Sequence, residues 1–295
     1  MKILTIFSFL IISGPILRGQ SVSQLYAEKG EMIIAKLSSA MFPHAKRDTG
    51  YWYNGKNYAA ESHYRDSSVA IFIPKGFKQG ESTNFVIYIH GWYNNIDSTF
   101  AQFRIAEQIT DSKINAILIH PEGPKNAPDS FGGKLEESDG FKRLMDAVLD
   151  ILVKDTKIKN KNIGSIILAG HSGAYRVMSF ILLDGGLTQY IKEVYLFDAL
   201  YGQTEKFTYW LDHSDGRLID IYTEDGGTKQ ESRNFMTNLQ ALGYPFLSRK
   251  ESDVSTNDLL RNRIVFISSN LKHNDVISKR EQFQTYLQTS ILNRK

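Results

Sequence analysis

The sequence predicts an α/β protein with a mainly parallel central sheet flanked by helices. Two observations carry this. Short, almost wholly apolar, β-branched runs recur along the chain, as strands buried on both faces must. Longer stretches with helical spacing lie between most of them, and such alternation implies parallel strands joined by crossover helices. No internal repeat, low-complexity tract or linker divides the 295 residues.

The chain opens with Lys2, an apolar run from Ile3 to Ile12, and then Ser13-Gly14-Pro15. Gly19 and Ser21 sit at −3 and −1 of a cut before Val22. That is the plan of a signal peptide over residues 1–21, too short in its apolar part to span a bilayer. The reading is an exported protein, periplasmic or secreted, with no stable membrane anchor after cleavage. Residues 22–64 carry Tyr, Trp and His without clean periodicity, and read as an N-terminal extension packed on the core. The main domain then covers 65–295.

In that domain the apolar runs are Val69–Ile73, Phe85–Ile89, Ala116–Ile119, Ser165–Ala169, Val194–Phe197, Leu218–Tyr222 and Ile264–Ile267. The first two are separated by Pro74-Lys75-Gly76 and a few more residues. That is too short for a crossover helix, so they are expected to pair antiparallel. The clearest helix is Phe141, Leu144, Met145, Val148, Leu149 and Leu152, which line one helical face. Weaker patterns fall at Phe100–Ile109, Tyr175–Leu183, Phe235–Leu242 and Val276–Ile291.

Composition narrows the chemistry. The chain has no Cys, which removes a Cys nucleophile, Cys-ligated zinc and iron–sulfur ligation. Net charge is only +3, without a Lys/Arg block, so nucleic acid is not an expected partner.

Function in a parallel sheet gathers where strands end. After Ser165–Ala169 comes Gly170-His171-Ser172-Gly173-Ala174. A tight strand-to-helix turn needs small flanking residues there, and it lifts the Ser172 hydroxyl above the sheet. The alternative is a plain turn with Ser as N-cap. After Phe85–Ile89 comes His90-Gly91-Trp92. A developing oxyanion needs two N–H donors, and the amides of Gly173 and Trp92 are placed to supply them. An ordinary Gly turn beside a core Trp is the other reading.

With the late His273, these motifs resemble the α/β-hydrolase superfamily, its serine esterases and lipases in particular, over roughly residues 65–295. Ala174 departs from the usual last glycine. The resemblance implies a triad in the order Ser, acid, His. Of seven histidines, His44 and His63 precede the core, and His90 and His171 occupy other positions of their motifs. His120 precedes the turn, and His213 lies in a polar loop. His273 alone follows the last apolar run and is the expected base, with a solvated loop histidine as the alternative. For the acid, two strand ends compete. Asp198 follows an apolar run and precedes small residues, where an unpaired carboxylate is costly. Glu224 and Asp225 lie in a Gly-rich polar turn, where a solvated charge is ordinary. Asp198 is favoured.

The expectation is an exported serine hydrolase acting on a small-molecule or acyl ester, with no cofactor and no metal. An amidase or peptidase of the same fold, or an inactive binding module, is the alternative. A metal hydrolase is a further rival, because His90, His120 and His171 all end strands; no HExxH spacing supports it. Phe131, Tyr201 and Trp210 are candidates for an acyl pocket, with core packing the alternative for each. The long loop from Pro121 to Pro128, with Gly132-Gly133, is a candidate substrate-side wall.

Overall fold

The computed structural model describes residues 25–293, so the expected leader lies outside the described residues. Nine strands form the main sheet: β1 (Gly30–Lys36), β4 (Ser68–Pro74), β5 (Thr83–Ile89), β6 (Ile117–Pro121), β7 (Ile163–His171), β8 (Ile191–Phe197), β9 (Arg217–Thr223), β10 (Leu247–Lys250) and β11 (Ile264–Ser269). The spatial order is β1-β4-β6-β5-β7-β8-β9-β11-β10. Only β4 runs against the others, antiparallel to both β1 and β6. A separate hairpin joins β2 (Tyr51–Tyr53) to β3 (Lys56–Tyr58). Its turn residues Asn54 and Gly55 both have positive φ, as a two-residue hairpin turn demands.

Every one of the seven apolar runs is a strand, but the expected pairing of the first two is wrong. β4 and β5 run in opposite directions, yet β6 lies between them and hydrogen-bonds both. The β4–β5 link is short because its strands are next-but-one neighbours at one end of the sheet. Residues 25–64 do more than pack on the core. β1 extends the sheet as its edge strand, and Glu31, Ile34 and Lys36 face solvent. That half-exposed edge explains the missing periodicity.

The helices are α1 (Ala60–His63), α2 (Ile96–Phe103), α3 (Ile105–Ser112), α4 (Gly140–Lys154), α5 (Tyr175–Asp184), α6 (Thr204–Asp212), α7 (Lys229–Ala241), α8 (Thr256–Arg261) and α9 (Gln282–Gln288). The expected helix over 100–109 is two helices. Arg104, left-handed at φ 52°, ends α2 and starts α3, and its guanidinium pairs with Glu281 at 3.0 Å. The expected helix over 276–291 is ordered as a helix only in α9, after Glu281 adopts a left-handed φ of 54°.

Side chains α4 to α7 pack one sheet face, and α2, α3, α8 and α9 pack the other. The stripe predicted in α4 is fully realised: Phe141, Leu144, Met145, Val148, Leu149 and Leu152 are all buried. Each such side chain contributes roughly 1.5–3 kcal/mol of transfer free energy. Trp210 and Phe207 of α6 join the same layer, so Trp210 belongs to the core. Burial on both faces also traps polar groups. Glu193 and Arg217 pair at 2.6 Å between β8 and β9, and Arg217 adds bonds to the Leu259 carbonyl and the Tyr195 hydroxyl. Asp220, fully buried on β9, accepts from the Ser232 hydroxyl at 2.6 Å. Burial pushes its carboxyl up to about 7, against the Ser232 bond.

An aspartate whose folded pKa is raised holds its proton longer in the folded state than in the unfolded chain. It therefore costs stability as pH rises from the unfolded value of ~3.9 toward 7. Asp220→Asn should gain stability relative to wild type over that interval and keep the gain above it. Urea unfolding of both proteins at a series of pH values measures the difference. A difference that does not change with pH would count against a buried, protonated Asp220.

Candidate active site

The site is built at the ends of β5, β7 and β8 and at the turn after β11. The β7 strand ends at His171, and residues 172–174 form a single tight turn into α5. Ser172 holds a left-handed φ of 56°, a strained conformation for a serine. The turn is possible because its surroundings are small. A methyl on Gly91 would lie 2.6 Å from Ser172 Cβ and 2.8 Å from the His171 carbonyl oxygen.

Asp198 follows β8 directly and is buried. It too has a left-handed φ, 46°. Its carboxylate takes four donors. His273 Nδ1 donates to Oδ2 at 2.7 Å, and the Thr223 hydroxyl to the same oxygen at 2.5 Å. The Thr223 amide donates to Oδ1 at 3.0 Å, and the Thr228 hydroxyl donates there as well. Burial raises the carboxyl, but the bonds from His273, Thr223 and Thr228 outweigh it and hold the group below its ordinary value. With Nδ1 carrying a proton toward Asp198, Nε2 of His273 is left as an acceptor.

His273 begins a short turn after β11 and is partly exposed, whereas Asp198 is fully covered. A second imidazole supports it. The His171 ring lies 4.5 Å from the His273 ring, and His171 Nε2 donates to the His273 carbonyl at 3.0 Å. Burial, with His273 beside it, pushes His171 down to about 3, so its ring stays neutral. Neutral donation from Nε2 ties the His273 turn to the end of β7.

Ser172 and His273 line one open cleft of about 440 Å³ with Trp92, Tyr93, Asn94, Gln102, Tyr201 and Asn274. None of these carries a formal charge at neutral pH except His273 when protonated. The Tyr201 hydroxyl donates to the Gly226 carbonyl, and Ser172 is a further hydrogen-bond partner. Burial and the nearby Asp198 carboxylate push the phenol up to about 12, so it remains protonated. The Trp92 indole donates to the Ser130 hydroxyl at 2.8 Å.

The structure thus brings Ser172, His273 and Asp198 together, with Gly173 and Trp92 beside Ser172. It does not bring Glu224 or Asp225 there. Both are exposed, and Glu224 pairs with Lys229. Their loop still serves the site, because Thr223, Gly226 and Thr228 wrap Asp198. Sequence reasoning passed over these three; the signal was the Thr-x-x-Gly-Gly-Thr pattern after β9. His90 is buried, with Nδ1 on the Gly91 carbonyl at 2.8 Å and Nε2 3.0 Å from Glu122. His213 is exposed, and His63 meets the Lys125 carbonyl. Among the described residues, no three His, Asp or Glu side chains are grouped as a bound metal ion would need. Phe131 is buried behind Gly173 rather than lining the open cleft, while Tyr201 does line it.

Compared with solved structures, the chain superposes on the feruloyl esterase module of Clostridium thermocellum with a TM-score of 0.55. The match covers 96% of each chain at 10% identity. The fold is the α/β-hydrolase fold. A further feruloyl esterase matches with a TM-score of 0.54, covering 97% of this chain and 95% of its own at 10% identity. The fluorophosphonate-binding serine hydrolase F of Staphylococcus aureus gives 0.51, over 89% and 99%, again at 10% identity. No family model matches the sequence, and no curated protein matches it.

The cradle around Asp198 predicts a sensitive position. Any side chain at Gly226 would overlap Asp198 Oδ2. Gly226→Ala should displace the carboxylate and lower turnover by about 10²-fold or more, because a misplacement of ~1 Å in a catalytic array costs that much. Gly227→Ala, one residue on, meets only Tyr201 at 3.4 Å but sits at φ 85°. It tests strain in the loop without that overlap and should cost far less. Steady-state kinetics on any hydrolysed ester, with circular dichroism to check folding, decides between them.

Proposed function

We propose that this protein is an exported serine esterase, with Ser172 as nucleophile, His273 as general base and Asp198 as the orienting acid. The observation that carries the reading is the 2.7 Å bond from His273 Nδ1 to the buried Asp198, with His273 and Ser172 lining one cleft. The acid fixes the tautomer, which leaves Nε2 free to take the serine proton. Ser172 Oγ attacks the ester carbonyl as its proton passes to His273. The amides of Gly173 and Trp92 hold the developing oxyanion. The alcohol leaves with the proton from His273, and water then attacks the acyl-enzyme by the same route to release the acid. The solved structures of like fold are named as feruloyl esterases and a serine hydrolase, which supports ester chemistry. A cleft without fixed charge suits an uncharged ester.

A fluorophosphonate probe should label the wild-type protein at Ser172, with mass spectrometry locating the adduct. Ser172→Ala should abolish labelling and reduce hydrolysis by ~10⁴-fold or more. Near-normal turnover by a folded Ser172→Ala protein, or EDTA-sensitive hydrolysis without labelling, would sink the proposal.

Asp198→Asn would leave His273 free to take the wrong tautomer, and should lower turnover by up to ~10⁴-fold with the fold retained. Glu224→Gln and Asp225→Asn should each change turnover little. If His213→Gln abolished activity and His273→Gln did not, the base would be misassigned.

A further inference from the structure

We propose that the site accepts only a short acyl group, of formyl or acetyl size, and that Trp92 and Phe131 set this limit; the inference rests on the serine-esterase reading above. An ester poised for attack has two of its directions fixed. Its carbonyl oxygen lies at the Gly173 and Trp92 amides, and its alcohol oxygen must face His273 to receive a proton. The acyl chain therefore leaves on the side away from His273, toward the loops after β5 and β6.

There the structure leaves little room. The space bounded by Met41, His90, Phe131, Gly173 and Val177 measures about 10 Å³. That is about the room one water needs. The Trp92 indole, held to Ser130 at 2.8 Å, lies against Gly173 at the edge of this space. The fit over Gly173 is close: a methyl there would lie 2.5 Å from Trp92 Cδ1 and 2.7 Å from Ser130 Oγ.

The back wall is fixed as well. Phe131 meets the rings of His44 at 5.0 Å and Phe42 at 6.1 Å. The guanidinium groups of Arg47 and Arg176 lie 4.7 and 5.6 Å from its centroid. Arg47 is itself held by Asp129 at 2.7 Å, and Arg176 by Glu136 at 2.7 and 2.8 Å. A wall packed and charge-clamped in this way does not yield to a longer chain without cost. The alcohol side differs. It opens into the 440 Å³ cleft, where Asn94, Gln102 and Asn274 supply amides and Tyr93 a ring. The substrate class that fits is a short-chain acyl ester of a larger, uncharged alcohol.

The test is a series of soluble 4-nitrophenyl esters that share a leaving group: acetate, butyrate, octanoate and cinnamate. The wild type should lose at least about 100-fold in kcat/KM from acetate to octanoate, since a small pocket discriminates by that order for added methylenes. Cinnamate should fare as poorly as octanoate. Trp92→Ala keeps the backbone amide and removes the indole; it should shrink the acetate-to-octanoate ratio at least tenfold. Phe131→Ala, if folded by circular dichroism, should do the same. A flat or rising chain-length profile in the wild type, or an unchanged ratio in Trp92→Ala, would overturn the inference. A fluorophosphonate-labelled enzyme with a flat profile overturns it alone; absence of both labelling and ester hydrolysis overturns the esterase reading with it.

Discussion

Much of this molecule is arranged around one crowded contact, the approach of Gly91 to Ser172. With a side chain at 91, the loop after β5 could not lie against the turn after β7. The same crowding recurs below Ser172, where a methyl on Gly170 would sit 2.5 Å from Met178 Sδ and 2.6 Å from Ala174 Cβ. A left-handed serine costs of order 1–3 kcal/mol and persists only where its neighbours leave it no alternative. Here those neighbours are β5 and β8, which hydrogen-bond β7 up to Ile89–Gly170 and His171–Phe197. The apolar runs thus do more than fill a core. They hold rigidly the strand ends from which a strained turn can project.

The acid shows a second way of meeting a cost. A carboxylate with no exposed surface should favour its neutral form. Asp198 resists because the loop after β9 supplies an amide and two hydroxyls beside the imidazole of His273. Asp220, on the adjacent strand β9, accepts from Ser232, and burial wins there. The two buried aspartates differ in their donors: four reach the Asp198 carboxylate, and the Ser232 hydroxyl reaches Asp220. That difference also explains why the loop carrying Glu224 and Asp225 looked like a rival source of the acid. Its charges point to solvent, and its threonines and glycine hold the carboxylate that comes from β8.

What could be read in advance follows from the range of the forces involved. Runs such as Ile166–Ala169 and the stripe of α4 are local patterns, so strands and the main helix were legible. The Gly-His-Ser-Gly-Ala turn was legible because its sterics lie within five residues. Strand neighbours are a long-range matter, and the insertion of β6 between β4 and β5 left no local mark. Edge strand β1 was missed because only Met32 is buried in it, so its pattern carries little apolar signal. The break at Arg104 and the support of His273 by His171 depend on contacts with residues 281 and 273, far along the chain. Phe131 and Trp210 were equally ambiguous, since apolar aromatics in a core and beside a pocket look alike in sequence.

The N-terminal segment makes the last connection. The groups that bond Asp198 and His273 come from β7, β9 and the loop after β9 rather than from residues 30–64. Yet that segment reaches the site's walls. Arg47 clamps Asp129 and Phe131, and Tyr53 of the hairpin packs edge-on against Trp92 at 5.2 Å. Tyr58 of the same hairpin meets the Tyr93 hydroxyl at 3.4 Å. Trp92 and Tyr93 are both partly exposed, and these contacts add to the Ser130 bond that holds the indole. The arrangement of Ser172, Asp198 and His273 is therefore set by the strand ends, whereas the extension helps to fix the walls beside them. Two parts of one chain with separate tasks can change separately, and a segment without internal periodicity can still carry a specific role.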